Sequence, residues 1–255
     1  MLVQGCCGWG YFKPNQFLEE EGRLTDEKSD WKDFYDHKVQ AYADFFDLVE
    51  VNKTFYDLPQ VKTAEKWRRL AREVNEEFKF TVKASKKITH KDRFSSKESV
   101  KKFDEVKEIA KALESELILF QTPPSFGPVE ENREDLDGFF STVDREEFTL
   151  AWEPRGDWEE SPEKINEVCE KHDLIHCTDP FRLAPAVETP VAYLRLHGKP
   201  PGEEMYKYTF KEEDLKELTD LIAGINSEDI YLLWNNYSMY RDLKKFESLL
   251  TDRPD

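Results

Sequence analysis

The sequence predicts an α/β protein, a single TIM (β/α)8 barrel with an abbreviated helix in its sixth unit. Three observations lead there. Short apolar or alternating runs interleave with stretches of helical periodicity along all 255 residues, and such alternation argues for a parallel sheet. Eight such runs recur at roughly one unit per 30 residues, which suits a barrel of this size. Several runs end in polar side chains that fall on one face. The competing architecture is a doubly wound open sheet. No G-x-G-x-x-G follows the first run, so a dinucleotide-binding version lacks its fingerprint. Residues 1–255 are read as one domain.

The first strand is residues 2–9, LVQGCCGW, where Gly5 and Gly8 allow close approach of backbone or ligand. Residues 10–33 read as a polar surface connection. Residues 34–46 fit a helix through Phe34, Val39, Tyr42 and Phe46. Residues 48–56, LVEVNKTFY, form the second strand, with Leu48, Glu50 and Asn52 on one face because side chains alternate. The pattern Val61, Ala64, Trp67, Leu70, Ala71 and Val74 predicts an amphipathic helix. The third strand, residues 78–85, sets Phe80, Val82 and Ala84 against Thr81, Lys83 and Ser85. A basic loop with His90 and Arg93 leads to a helix over 98–114.

Residues 117–121, LILFQ, are an apolar run of the buried parallel type, halted by Thr122-Pro123-Pro124. A weaker helix spans 130–143. The fifth strand, 148–155, places Ala151, Glu153 and Arg155 on one face. Ser161 and Pro162 open the next helix, as cap and first turn. The sixth strand is 174–179; Pro180, Pro185 and Pro190 then leave little room for a helix. The seventh, 191–198, has Tyr193, Arg195 and His197 on one face. A Gly/Pro loop at 198–202, a helix over 210–225, a strand at 230–236 and a helix at about 239–250 complete the chain.

Composition narrows the function classes. Charged residues make up 36% and the net charge is −17, which disfavours general adhesion to nucleic acid or to anionic membrane. No apolar run approaches the length of a membrane span, and the first dozen residues lack the pattern of a signal peptide, so the expected location is cytoplasmic. Cys6, Cys7, Cys169 and Cys177 form no C-x-x-C pair and are expected to be reduced thiols in or near the core.

The polar strand ends point to a site, because barrel active sites lie at the C-terminal ends of the strands. The candidate catalytic residues are Glu50, Glu153, His197 and Lys83. Glu153 or Glu50 is read as the base, and His197 as acid or orienter. Lys83 is read chiefly as an anion binder, with Schiff-base chemistry as the alternative. Asn52, Tyr56, His90, Gln121, Arg155, Trp158, Arg195 and Asn235 are the candidate substrate-binding residues. Lys83, Arg155 and Arg195 form the expected anion clamp. Glu, Asp and His at strand ends suit a divalent metal, but no spacing motif supports one, and no metal ligand or cofactor is assigned.

The runs GCCGW, VEVNKTFY, FTVKASKKITH, LFQTPPSF, AWEPRGDW, YLRLHGK and LLWNN resemble, in order, the motifs of the YecE-like family, domain of unknown function 72. The resemblance spans about residues 2–250. It implies a TIM barrel related in fold to sugar isomerases, with no assigned reaction, and a pocket lined by the strand-end residues named above. Two departures are local. The fifth strand reads W-E-P-R where V-E-F-R is usual, and the second has Lys53 where many members have Ser.

The resulting expectation is an enzyme, an isomerase or hydrolase, acting on a small anionic or polyhydroxylated substrate of sugar-phosphate or nucleotide type. The alternatives are a metal-dependent phosphodiesterase or nucleic-acid-binding protein, and a non-catalytic ligand-binding barrel. The oligomeric state is not legible in the sequence.

Overall fold

The computed structural model describes residues 1–199 and 205–251. Eight parallel strands follow one another around a nearly closed barrel: β1 (Leu2–Cys6), β2 (Leu48–Val51), β3 (Lys79–Lys83), β4 (Leu117–Gln121), β5 (Thr149–Glu153), β6 (Leu174–His176), β7 (Val191–Leu196) and β8 (Asp229–Trp234). β1 pairs with both β2 and β8, which brings the two ends of the chain together. The remaining seam, between β6 and β7, is closed by a single parallel bridge, Thr178 to Leu194.

Two apolar layers result from side-chain alternation. Val3, Leu48, Leu117, Leu119, Ala151, Ile175, Tyr193 and Leu233 fill the barrel interior. Val49, Val82, Phe120, Trp152, Leu194 and Leu232 point outward and pack beneath the helices. Gly5 is required where β1 meets β2: a Cβ there would stand 1.9 Å from the carbonyl oxygen of Leu48. Any side chain would therefore force the two strands apart.

The helices are α1 (Pro14–Glu20), α2 (Lys38–Ala43), α3 (Lys53–Tyr56), α4 (Val61–Arg72), α5 (Lys97–Ala112), α6 (Glu130–Thr142), α7 (Pro162–His172), α8 (Glu212–Ala223) and α9 (Met239–Thr251). Local chemistry sets several of their starts. The Ser96 hydroxyl accepts from the Ser99 amide to cap α5, a contact of about 1 kcal/mol. Pro162 sits in the first turn of α7, where its missing N–H costs nothing. The sixth unit has no helix between Cys177 and Pro190, as its prolines imply.

Three expectations change. The connection 10–33 is not all loop: Pro14 opens α1, which buries Phe17 and Leu18. The helix expected over 34–46 is reduced to α2. The strand LVEVNKTFY stops at Val51. Asn52 adopts helical angles (φ −82°, ψ −13°) and leads into α3, so it does not continue the strand face of Glu50. Thr54 explains the turn: its buried hydroxyl lies 2.6 Å from the Val51 carbonyl and 2.7 Å from that of Lys83. The hydroxyl, with one proton to donate, comes within reach of either carbonyl only where the chain curls at this point. Of the Gly/Pro loop 198–202, residues 200–202 lie outside the described residues.

Candidate active site at the strand ends

Above the apolar interior layer the same inward-facing positions turn polar. Glu50 is the penultimate residue of β2, Lys83 ends β3, Gln121 β4 and Glu153 β5, while Arg195 lies next to last in β7 and His197 directly follows the strand. Arg195 is the hub and is 1% exposed. One terminal nitrogen donates to Glu153 at 2.5 Å, and the other donates to Glu50 at 2.9 Å and to the Cys7 sulfur at 3.5 Å. Tyr193 donates its hydroxyl proton to the second Glu50 oxygen at 2.8 Å. Thr81, 2.8 Å away, must then donate to the Tyr193 oxygen.

Glu153 is shared. Arg155 donates to its other oxygen at 2.6 Å and also approaches His197 Nε2 at 2.7 Å. A guanidinium only donates, so His197 Nε2 carries a lone pair and the proton sits on Nδ1. That nitrogen faces Asp179 at 3.3 Å, and Asp179 also accepts from the His197 backbone amide at 2.9 Å. His197 is thus a neutral imidazole. Burial and then Arg155 push its pKa down to about 4. The Nε–H groups of Arg155 and Arg195 have no acceptor among the described residues.

These contacts revise several expected roles. Burial alone would raise the Glu153 carboxyl, but Arg155 and Arg195 outweigh it and hold it well below the usual carboxylate range. Glu50 is likewise lowered, by Arg195 and then Lys83 acting against burial. A carboxylate clamped by arginines at so low a pKa is a poor base at neutral pH. His197 has no Nε2 proton to give, and its Nε2 accepts from Arg155 instead. Arg195 is not a free anion clamp, because both its terminal nitrogens are engaged.

Lys83 differs from them. It is 7% exposed, and among the described residues its ammonium makes no hydrogen bond or close ion pair. It lies 4.5 Å over the Phe55 ring. Burial, then Arg195, push its pKa down to about 8, against the opposing pull of Glu50 and Glu153.

The remaining candidates divide. Asn52, His90, Gln121 and Asn235 are half-buried. His90 packs edge-on to Phe55 at 4.9 Å and bonds Thr89 at 2.8 Å. Burial, then Lys83 and Lys86, lower its pKa. Tyr56 is 69% exposed at the rim, with Lys86 over its ring. Trp158 is a correction: it is fully buried against Trp152 at 4.8 Å, its indole N–H donating to the Phe126 carbonyl at 2.5 Å. It packs in the layer outside the barrel and offers no face to a ligand.

The network also includes residues outside the expected site. Tyr193 and Asp179 are legible as inward or strand-end positions. Thr54, Phe55 and Cys7 are not, because they follow the strands in turns where alternation carries no information. Beyond Glu153 and His197, a small cavity of about 20 Å³ lies between them, Glu159 and Arg182. Among the described residues no group of three or more His, Cys, Asp and Glu side chains is placed to hold a metal ion. The four cysteines are free thiols, three buried and Cys7 half-buried.

Comparison with known proteins agrees with this architecture. The family described as "Protein of unknown function DUF72" matches residues 3–252. The UPF0759 protein YunF of Bacillus subtilis (strain 168) is 27% identical over 240 residues, covering 79% of this chain and 81% of that protein. A DUF72 family protein from Thermotoga maritima superposes with a TM-score of 0.70 at 23% identity, over 99% of this chain and all of its own. Endonuclease IV from Thermus thermophilus (TM-score 0.55, 12% identity, 99% of each chain) and D-psicose 3-epimerase (0.53, 13%, 84% of this chain and 91% of the other) share the fold alone. Among the described residues no helix is long and apolar enough to cross a membrane. The chain belongs to the DUF72 family of proteins of unknown function, and it carries that family's fold as an eight-stranded parallel barrel.

Proposed function

We propose that the protein binds a small anionic or polyhydroxylated ligand at the C-terminal mouth of the barrel and acts on it by proton transfer centred on Lys83. One observation carries this reading. Among the described residues, Lys83 is 7% exposed at a strand end and its ammonium has no hydrogen-bond acceptor, while the carboxylates of Glu50 and Glu153 are held by arginines. A buried cation without a hydrogen-bond partner is costly in a merely structural role. A ligand oxygen would remove that cost. Two half-buried amides, Asn52 just past β2 and Gln121 at the end of β4, offer donors and acceptors for hydroxyl groups.

The family's fold neighbours include a sugar epimerase, which is compatible with a polyhydroxylated ligand. A metal-dependent phosphodiesterase has less support, since Glu153 already accepts from Arg155 and Arg195, and Glu50 from Arg195 and Tyr193. The test is a panel of sugars, sugar phosphates and nucleotides followed by calorimetry. Binding is expected for one class and should weaken at least tenfold in Lys83→Met. A ligand that bound Lys83→Met and the parent protein equally would overturn the assignment.

A further inference from the structure

We propose that Lys83 is an imine-forming centre, and that its substrate class is a small polyhydroxylated aldehyde or ketone. This rests on the reading of the barrel mouth as a ligand site and adds a covalent step to it.

The placement of Lys83 is the first argument. It ends β3 on the inward face, and its backbone is pinned on both sides. Its carbonyl meets the Thr54 hydroxyl at 2.7 Å, and the next amide, Ala84, donates to the Leu119 carbonyl at 2.8 Å. The nitrogen rests on an aromatic face that has no acceptor lone pair in the plane of approach. Burial and the Arg195 charge both favour its neutral form. With a pKa of about 8, roughly one molecule in ten carries a neutral amine at pH 7, against fewer than about one in a thousand for an ordinary lysine. A neutral, buried amine is what attack on a carbonyl requires.

The surroundings supply the second argument. The chain after Lys83 enters a π-helical turn, Lys87–Lys91, and then holds Arg93 (φ 50°) and Phe94 (φ 67°) in the left-handed region. Such irregularities concentrate at functional sites, where they aim side chains. Here the turn sets the His90 ring against Phe55, on whose face the Lys83 nitrogen rests. Glu50 and Glu153 stand beyond ion-pair distance of the nitrogen, but their charge acts on it, so an iminium formed there would be partly compensated.

The step balances without a co-reactant. The Lys83 nitrogen attacks the carbonyl carbon, a C–N bond forms, and the carbonyl π pair moves to oxygen, which takes a proton. The carbinolamine then expels its hydroxyl, which takes a proton from solvent and leaves as water, while the nitrogen keeps its remaining hydrogen and the product is the iminium, C=N–H with a positive charge. Nothing is oxidised or reduced. The iminium draws electrons from the adjacent carbon and acidifies its C–H, the chemistry needed for isomerisation or epimerisation.

The test is reductive trapping on the full chain. Dihydroxyacetone and, in a parallel arm, dihydroxyacetone phosphate are incubated with the protein and sodium cyanoborohydride, and modified lysines are mapped by mass spectrometry. Lys83 is expected to react at least tenfold faster than the exposed Lys53 and Lys91. Its rate in the parent protein should rise to a midpoint near pH 8, a readout that needs no variant. Preference between the two arms reports whether a phosphate is part of the recognised group. Lys83→Arg, which keeps the charge, should lose the adduct. Modification of Lys83 no faster than that of Lys53 and Lys91 would overturn the proposal. Calorimetric binding of the same compounds in that case, lost in Lys83→Met, would leave the non-covalent reading standing.

Discussion

Two sides of the same barrel mouth treat charge in opposite ways. Across β5, β6 and β7, reaching over to Glu50, ionisable groups are matched: Arg195 with Glu50 and Glu153, Arg155 with Glu153, His197 with Asp179. Around β2, β3 and β4, Lys83 has only an aromatic ring beneath it, and Asn52 and Gln121 stand half-buried beside it. On the first side every charge has an opposite partner, although the Nε–H groups of Arg155 and Arg195 find no acceptor among the described residues. The second leaves its polar groups without charged partners in the protein, and the proposed ligand site rests on that difference. Strong burial of charge does not by itself single out a candidate reactive group; the absence of a partner is the more discriminating feature.

The largest test of this contrast is a pair of truncations. Arg195→Ala leaves two buried carboxylates without their main cation and should cost about 3–5 kcal/mol in urea unfolding. Lys83→Met removes an unpaired buried cation and should change stability by no more than about 1 kcal/mol. Equal losses from both would erase the distinction between the two sides.

The pH dependence should separate them next. The folded protein releases the Lys83 proton near pH 8, whereas the unfolded chain keeps it to about 10.5. Between those values the unfolded state binds more protons, so stability rises with pH. The advantage of the parent over Lys83→Met should therefore climb by about 3 kcal/mol from pH 8 to 10.5 and be flat below it. A constant difference in urea midpoints across that window would mean that Lys83 is paired after all.

Within the matched side, Tyr193→Phe removes a hydroxyl that donates to the charged Glu50 and strands the Thr81 donor. About 1.5–3 kcal/mol should be lost, read by thermal unfolding of the parent and variant. At the small end lies Gln121→Ala on the open side. Its effect on stability should stay within about 0.5 kcal/mol, while calorimetry should show weaker ligand binding. A large stability loss with binding intact would move Gln121 to the matched side.

Much of this is legible in the chain itself. The motif order, the eight strands and the inward set Glu50, Lys83, Gln121, Glu153, Arg195 and His197 all follow from alternation and turn residues. The misplacements share a cause. Alternation puts Asn52 on the strand face only by running one residue too far, past the point where Thr54 curls the chain. Trp158 follows a strand end and so reads as a rim aromatic, but its indole is drawn into the layer around Trp152. Local pattern does not report the first residue at which a strand stops.

What the sequence by itself determined is which side chains face the barrel interior and at which end the polar ones gather, because both depend on a repeat of two residues within single strands. Which of them pair was decided only by the tertiary structure. Arg195 bonds Glu50 from 145 residues away and Glu153 from 42. Those contacts are set by the stagger of strands around the barrel and by one arginine having two terminal nitrogens to share. Once Glu50 and Glu153 took that arginine, Lys83 was left with no acceptor among the described residues. That outcome is a property of distances across the barrel, and no spacing along the chain encodes it.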